Sequence, residues 1–435
     1  MTTMTEQYLN ELGKLNKKFG SDKVILLWQC GSFLEIYAYK EDNKIMGSNI
    51  LEFSKICEMD IARRGICQGK NIVMSGFPAN KLDRYLPRIN VAGFTIGVWL
   101  QDKNIKTERY EYGVFSPGTY FNPESNEKTN NISCIWIEKF ESPLFNKDPY
   151  ILFGLTSINI ITGIMNIYNI KEKYINDPTT YNDVERFISI YNPSEILIVH
   201  NGINVEQFIN FTNINCAVTS SEINDEDDSN YSLIKNIIKK SYKKEILSKF
   251  YPNVEYNSFD IEFDLEDNYC MSNSMCFLLD YIFLLNPSLV NKISEPKLDN
   301  LKNNLVLGNH SLNQLHILNN NSNNSNNSNK YSSVEKLVNK CVTAMGSRRF
   351  KHIILHPTTS EDYLKDEYNM MDAVLKNQET NIQTYRESLL TIRDMERFYR
   401  KILLKKVKPI EIATFYKNLH SVQVLCDMIN CDGIK

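Results

Sequence analysis

The feature that most constrains the fold is a short apolar run near the N-terminus that ends close to a glycine. Residues 24–28 form an uninterrupted apolar stretch, which is typical of a buried strand. Gly31 follows, and then an aromatic residue, one spacer and a carboxylate, from Phe33 to Glu35. Side chains of an extended segment alternate between its two faces, so Phe33 and Glu35 are predicted to project to the same face.

A ring beside a carboxylate suits the recognition of nucleic-acid bases. The ring can wedge between stacked bases, and the carboxylate can accept hydrogen bonds from an exposed base edge. The alternative interpretation is the edge of an amphipathic strand that binds nothing. The spacing of Phe33 and Glu35 alone leaves both interpretations open.

Composition limits the class of protein. The chain has 435 residues, 42% hydrophobic and 23% charged, which is ordinary for a soluble globular protein of about two to four domains. A net charge of −3 excludes a uniformly basic nucleic-acid binder, so any DNA contact must come from a local patch. Residues 1–122 carry 16 Lys and Arg against 13 Asp and Glu, an excess that permits such a patch.

The cysteines and the apolar stretches bear on the compartment. Ten cysteines occur without a C-x-x-C pair and without a secretory leader, so reduced thiols and an intracellular location are expected. The best apolar stretch, residues 151–170, is interrupted by polar residues and is a poor membrane span. We therefore expect no membrane partner.

Hydrophobic periodicity divides the chain into an α/β part and a helical part. An amphipathic helix is predicted over residues 5–20, and a polar linker over 122–131. A second α/β pattern follows, with hairpin strands at 133–137, 152–156 and 158–162, a helix at 181–191 and a buried parallel strand at 195–200. After about residue 258 the periodicity is helical.

Three charged or polar segments have simple interpretations. The acidic run 225–228 is predicted to be a solvated loop, and the basic segment 234–250 a helix whose lysines mostly face water. A contact of that helix with a DNA backbone or a partner is the alternative. Residues 319–329 are almost purely Asn and Ser, cannot bury apolar surface, and are predicted to form a disordered insertion.

Several motifs, in order, resemble those of the MutS family of DNA mismatch-recognition proteins. The sequence Gln-Cys-Gly-Ser-Phe at 29–33 resembles the branch of the family found in large DNA viruses. In the first 120 residues the motifs lie at 31–35 (Gly-Ser-Phe-Leu-Glu), 61–65, 73–78, 82–86, 91–101 and 116–119. Residues 192–197 resemble a signature of the family's connector domain, and 343–348 and 391–397 resemble motifs of its helical core.

The resemblance implies a fold class and three domains. These are an α/β mismatch-binding domain (1–122), an RNase H-like α/β connector (131–255) and the start of an all-α core and lever domain (258–435). The disordered insertion would lie within the third domain, at 319–330.

The resemblance also implies a site and partners. Phe33 would stack on a displaced base from the minor groove and Glu35 would hydrogen-bond it, while Arg63 and Arg64 would contact the DNA backbone. The expected ligand is double-stranded DNA with mismatches or small loops, in the service of DNA repair, and a MutS-type dimer partner is a further expectation. The alternative is a non-catalytic interaction module. A chain without the family's ATPase and clamp regions could pair with a full-length MutS-type subunit or another repair protein.

Enzymatic activity is not expected of this chain by itself. The nearest phosphate-loop string, Gly65 to Asn71, is one residue short and has Asn71 where a hydroxyl would bind Mg²⁺. The resemblance implies that the family's ATPase, with its ATP and Mg²⁺, lies downstream of these residues, so we expect no cofactor here and a chain that is a fragment or a truncated form. A nuclease would need acids on adjacent strands, and only Glu138 and Glu195 are available. His352 and His356 have helical metal-ligand spacing but no evident third ligand.

Overall fold

The computed structural model describes most of the chain. The described residues are 4–20, 22–41, 44–67, 69–102, 105, 108–120, 130–141, 149–228, 230–287, 293–298, 305, 311–317, 333–355, 357–376, 379–405 and 407–431. The Asn/Ser insertion predicted at 319–330 and His356 lie outside them.

The first part of the chain forms a seven-stranded sheet with the order β4-β5-β2-β1-β6-β7, and β3 pairs with β2. The strands are β1 Val24–Cys30, β2 Phe33–Glu41, β3 Lys44–Met46, β4 Ala62–Cys67, β5 Lys70–Pro78, β6 Thr95–Gln101 and β7 Arg109–Phe115. The central pair, β1 and β6, is parallel, and its neighbours are antiparallel. The apolar run at residues 24–28 is therefore the centre of the sheet, where both faces are covered.

Three helices cover this sheet: α1 Met4–Phe19, α2 Ile50–Cys57 and α3 Leu82–Val91. On one face, the Tyr8 ring of α1 packs edge-on against Trp28 and Tyr37, at centroid distances of 6.0 and 5.0 Å. On the other face, Phe77 packs between Phe53 of α2 and Tyr85 of α3, at 6.0 and 4.5 Å. Burial of such rings is the main source of stability in a sandwich of this kind.

The second sheet has six strands in the order β12-β11-β8-β9-β10-β13. They are β8 Asn131–Phe140, β9 Tyr150–Asn159, β10 Met165–Lys173, β11 Glu195–Asn201, β12 Ala217–Glu222 and β13 Lys297–Leu298. The intervening helices are α4 Asn182–Tyr191, α5 Val205–Thr212, α6 Tyr231–Ile237, α7 Lys240–Phe250, α8 Tyr256–Phe263 and α9 Tyr269–Leu285, and short 3₁₀ turns span Ala79–Lys81 and Pro178–Tyr181.

Two predicted elements of this part are wrong. The strand predicted at 158–162 is the end of β9 followed by a turn, and the third hairpin strand is β10. The single basic helix predicted at 234–250 is two helices, because Lys239 takes an extended conformation (φ −78°, ψ 126°) between α6 and α7.

Helix α9 lies after residue 258, in the predicted helical part, but it packs on the second sheet. Its backbone at Cys270 lies so close to Gly154 of β9 that a Cβ there would be 2.0 Å from the Cys270 carbonyl carbon. The hydroxyls of Thr156 and Ser274 are 2.7 Å apart, and the Tyr281 hydroxyl donates to Glu195 over 2.9 Å. The structure thus places residues 269–285 with the second sheet.

The remaining secondary structure is mostly helical. The helices are α10 Ser311–Gln314, α11 Val334–Val338, α12 Ala344–Leu355, α13 Glu361–Lys376, α14 Glu379–Thr391, α15 Met395–Leu403 and α16 Pro409–Cys431. The predicted fold class, an α/β N-terminal region followed by a helical region, is confirmed. Within the described ranges, no helix is both long and apolar enough to cross a bilayer.

Candidate nucleic-acid interface

The Phe33 side chain lies at the apex of the β1–β2 hairpin. Only Gly31 and Ser32 join the two strands, and Gly31 adopts φ +60°, which the first residue of a tight hairpin turn requires and which glycine adopts at no steric cost. Phe33 is the first residue of β2 and is 45% exposed. An aromatic ring is thus presented to solvent on a short and rigid support.

Side chains from the neighbouring strands hold this apex in place. The Gly31 N–H donates to the Gln101 side-chain oxygen over 3.2 Å, and the Gln101 N–H donates to the Gln29 side-chain oxygen over 2.8 Å. The Gln29 amide nitrogen donates to the Gly31 carbonyl over 3.0 Å, and Arg109 Nε donates to the Gln29 carbonyl over 3.0 Å. These bonds tie the turn to the ends of β6 and β7 and fix the direction of the apex.

Glu35 lies on the same strand face as Phe33, as predicted, but it is only 7% exposed. The Tyr37 hydroxyl and the Arg64 guanidinium both donate to Glu35 Oε2. Within the described part of the chain, no group donates a hydrogen bond to the other oxygen, Oε1. The carboxylate therefore has one oxygen that accepts two hydrogen bonds and one that accepts none from the described residues.

The guanidinium of Arg64 lies on the Tyr37 ring, with Cζ 4.8 Å from the ring centroid. It also contacts the sulfur atoms of Cys30 and Met74, at 3.3 and 3.2 Å. Burial, followed by the hydrogen bond to Glu35, raises the pKa of Tyr37 above its usual range, so its hydroxyl stays a donor at neutral pH. Stacking, ion pairing and hydrogen bonding together fix the position of Arg64.

The route of Arg64 to Glu35 depends on irregular backbone in two strands. A β-bulge interrupts the pairing of β4 with β5 between Arg63 and Gly65, and such a bulge redirects the intervening side chain. Strand β5 lies between β4 and β2, and its Gly76 pairs with Glu35. Past the bulge, Arg64 crosses β5 in contact with Met74 and reaches Glu35 of β2.

The fold places the two predicted arginines differently. Arg63 is exposed, and its guanidinium donates to the Asn71 side chain over 3.0 Å. Arg64 is turned towards Glu35 and forms an ion pair with it. Both arginines are exposed, but only Arg64 is engaged by a carboxylate, so a phosphate contact by Arg64 would compete with Glu35.

Three residues of this site were not singled out from the sequence. Tyr37 continues the period-two pattern of Phe33 and Glu35, and that pattern could have identified it. Gly76 and Gln101 are distant in sequence and carried no local signal. Their roles follow from strand order alone.

The acids considered for nuclease chemistry do not meet. Strands β8 and β11 pair with Ile132 opposite Glu195 and Glu138 opposite Asn201, so the two carboxylates are separated by six residues along the strands, about 20 Å. Glu195 is buried, which raises its pKa, and it accepts hydrogen bonds from Gly118 and Tyr281. Within the described ranges, no group of three His, Cys, Asp or Glu side chains could hold a metal ion.

The phosphate-loop string also has the wrong structure. Gly65 lies in β4 and Lys70 begins β5, so the segment joins two antiparallel strands. A phosphate loop joins a strand to the N-terminus of a helix. The interpretation of this string as a chance match stands.

Comparison with known protein families decides the lineage of the chain. The model of MutS domain I matches residues 2–124, and the model of MutS domain III matches residues 310–433. The chain belongs to the MutS family. The hairpin with Phe33 and Glu35 lies within the matched domain I, and neither of the two matching models describes an ATPase domain.

Curated relatives of the family extend the match along the chain. A mutS homolog of Acanthamoeba polyphaga mimivirus is 24% identical over 97% of this chain and 39% of its own length. The DNA mismatch repair protein MutS of Caldanaerobacter subterraneus is 25% identical over 99% of this chain and 44% of its own length, and that of Clostridioides difficile is 22% identical over 100% and 40%. The chain thus spans about two fifths of the length of these MutS relatives.

Proposed function

We propose that this protein binds double-stranded DNA and distinguishes mispaired or unpaired bases from ordinary base pairs, as part of DNA mismatch repair. The observation that carries the proposal is the braced hairpin apex, which presents Phe33 to solvent two residues before a carboxylate on the same face. Its place within a matched MutS domain I supports the assignment.

Discrimination has a direct physical basis. Inserting a ring between base pairs requires unstacking and kinking of the duplex, which costs a few kcal/mol at an ordinary step. A mismatch has already lost part of its pairing and stacking energy, so the same deformation costs less there. A rigid wedge therefore binds preferentially where the duplex is weakest.

Each residue of the site has a separate role in this proposal. Phe33 stacks on the displaced base, and the open Oε1 of Glu35 accepts a hydrogen bond from its edge. Arg63, which the fold presents outward, contacts a backbone phosphate and positions the duplex without reading its sequence. We assign no catalytic step to the described residues, and the proposed role is binding.

The test compares homoduplex DNA with duplexes that contain a G·T mismatch or one unpaired base, by fluorescence anisotropy at fixed salt. Phe33→Ala removes a base-stacking contact worth about 1–3 kcal/mol, so heteroduplex affinity should fall roughly 5- to 150-fold while weak homoduplex binding remains. Tyr110→Ala is the matched control, because Tyr110 is 47% exposed on β7 of the same sheet. Equal losses on both DNAs, or no loss with Phe33→Ala, would contradict the proposal.

Glu35→Ala gives the second arm of that test. The substitution removes a negative charge near the phosphates and releases the Arg64 cation, so homoduplex affinity should rise. The same change removes the acceptor for the displaced base, so the ratio of heteroduplex to homoduplex affinity should fall. Loss of both affinities would indicate a role of Glu35 in folding instead.

A second candidate function is an interaction module that pairs with a full-length MutS-type subunit or another repair protein. Exposed apolar side chains on the last helix favour it, among them Ile410, Ile412 and Tyr416. Such a module would associate with its partner through these helices and show no preference between the two DNAs. Sedimentation with and without a MutS-type subunit, beside the anisotropy test, separates the two functions.

A further inference from the structure

We propose that Arg64 and Tyr37 are positioning residues for Glu35, which hold its carboxylate by Oε2 so that only Oε1 is offered to a displaced base. This inference rests on the proposed function of the site and deepens it. It assigns Arg64 to discrimination between DNA structures, where the sequence alone suggested a contact with the DNA backbone.

The geometry of the donors supports this assignment. Tyr37 and Arg64 approach the same oxygen of Glu35 from different strands, and the guanidinium is in turn held on the Tyr37 ring. A carboxylate held at one oxygen by two donors cannot rotate freely, and its other oxygen keeps one direction. A base edge then meets an acceptor that is already oriented, so less conformational entropy is lost on binding.

The charge of the cluster has a second effect. An isolated carboxylate at the apex would be repelled by every phosphate of any duplex that approaches. Pairing with Arg64 cancels most of that charge, so ordinary duplex is not excluded before it can be probed. The pair thereby shifts the contribution of Glu35 from general repulsion to a directed hydrogen bond.

This role differs in measurable ways from a phosphate contact. Removing a side chain that neutralises one phosphate makes the dependence of log affinity on log salt shallower by about 0.9, and it weakens binding to all duplexes alike. A residue that acts through Glu35 changes the ratio between heteroduplex and homoduplex affinity. Its effect disappears once Glu35 has been removed.

The experiment is therefore a double-mutant cycle with Arg64→Ala, Glu35→Ala and the double variant. Each protein is measured on G·T heteroduplex and on homoduplex at several salt concentrations. Arg64→Ala should lower the affinity ratio about tenfold, the size of a charged hydrogen bond, in addition to any loss that the exposed Glu35 charge causes on both DNAs alike. In the Glu35→Ala background, the same substitution should not lower the ratio further.

Tyr37→Phe and Arg64→Lys keep the test independent of folding. Tyr37→Phe removes only the hydroxyl and should lower the ratio roughly threefold, about half the effect in free energy expected for Arg64→Ala, while Tyr39→Phe on the same strand should leave it unchanged. Arg64→Lys retains the charge and should restore part of the ratio that Arg64→Ala loses.

The outcomes separate the inference from the function on which it rests. A wild-type preference for heteroduplex that survives both Arg64→Ala and Tyr37→Phe would overturn the inference and leave the function intact. Equal losses on both DNAs with an unchanged affinity ratio would show that Arg64 acts through its charge or a phosphate contact, and not by orienting Glu35. If the wild-type protein shows no preference for heteroduplex, the inference and the proposed function are both overturned. Coupling of Arg64 and Glu35 in unfolding measurements would not rescue either.

Discussion

Gly76 is the residue on which the packing around Glu35 most depends. A Cβ at this position would lie 2.4 Å from the Leu34 carbonyl oxygen and 3.0 Å from the Glu35 Cα. Both of those atoms are backbone, so they cannot turn aside as a flexible side chain would. The lack of a side chain at Gly76 therefore permits the close pairing of β5 with β2 beside Glu35.

We expect Gly76→Ala to destabilise the first domain by about 1–3 kcal/mol, the usual cost of overpacking. The same substitution should lower the heteroduplex preference, because it displaces Glu35. Gly13→Ala is the matched control: Gly13 lies in α1 with no heavy atom within 4 Å of a Cβ built there, and the change should stabilise by roughly 0.5–1 kcal/mol. Urea unfolding of both variants checks this, and equal effects would contradict it.

At this scale, sequence alone predicted part of the site. The shared face of Phe33 and Glu35 followed from strand alternation, which needs only local spacing. The difference in their exposure could not be predicted, because the group that covers Glu35 comes from Arg64 on another strand. Which strands are neighbours is a long-range property of the sheet, and the residues of β2 do not contain it.

Individual elements differ in how clearly the sequence marks them. The helix predicted at 5–20 and the strand at 195–200 agree with α1 and β11, since both have strong periodicity or a continuous apolar run. The strand predicted at 158–162 was wrong because Asn159 accepts hydrogen bonds from the N–H groups of Ile161 and Thr162, at 2.9 and 3.1 Å. That Asn-centred turn is a known competitor of extended structure, and the apolar residues around it concealed it.

Helices α12 and α15 are joined by a charged cluster. Arg348 donates to both oxygens of Asp394, at 2.7 and 2.8 Å, and its Nη2 donates to Glu396 over 2.6 Å. Asp394 also caps α15 by accepting from the Arg397 N–H over 3.2 Å. Burial would raise the pKa of Asp394, but these hydrogen bonds and the Arg348 charge hold it below the usual 3.8.

The lowered pKa of Asp394 gives a pH dependence with a definite sign. The ionised form is the one that the fold favours, so its stabilisation is present above about pH 4 and is lost as the pH falls through the folded-state pKa. Asp394→Asn should therefore destabilise the helical part by about 1 kcal/mol at pH 7, a value discounted for partial exposure, and by little at pH 3. Circular dichroism of thermal unfolding at both pH values measures this.

The exposed pair of Glu361 and Lys365 in α13 provides the control for that measurement. Glu361→Gln should leave the stability nearly unchanged at both pH values, because solvent screens an exposed pair of this kind. A loss of stability for Asp394→Asn that is equal at pH 7 and pH 3 would show that ionisation of Asp394 does not matter.

Across the whole molecule, burial is distributed unevenly. In α9, 14 of 17 residues are buried against the second sheet and the helices around it. In α13, a helix of 16 residues, all of them described, none is buried. Arg400 of α15 links the helical part to the second sheet. Its side chain is fully buried and donates to the Ile160 carbonyl over 3.3 Å. Burial lowers its pKa to about 10.

These two helices should therefore differ in protection from hydrogen exchange. Amides in α9 open only when the second sheet unfolds, so they should exchange orders of magnitude more slowly than amides in α13, which need only local fraying. Mass spectrometry of peptides from both helices, in dilute solution at one pH, gives the comparison. Similar protection would mean that α9 does not fold together with the second sheet. It would then belong to the helical domain, which is predicted to begin near residue 258.

The bracing of the hairpin apex has a consequence for how the protein is made. Gln101 follows Gly31 by 70 residues, and Arg109 follows Gln29 by 80. At synthesis rates of about 5–20 residues per second, the β1–β2 hairpin waits roughly 4 to 16 seconds for these partners, and a lone two-stranded hairpin is only marginally stable. A nascent chain on the ribosome thus displays the aromatic tip seconds before it can hold that tip rigid, and the braced hairpin forms only after Arg109 has been synthesised.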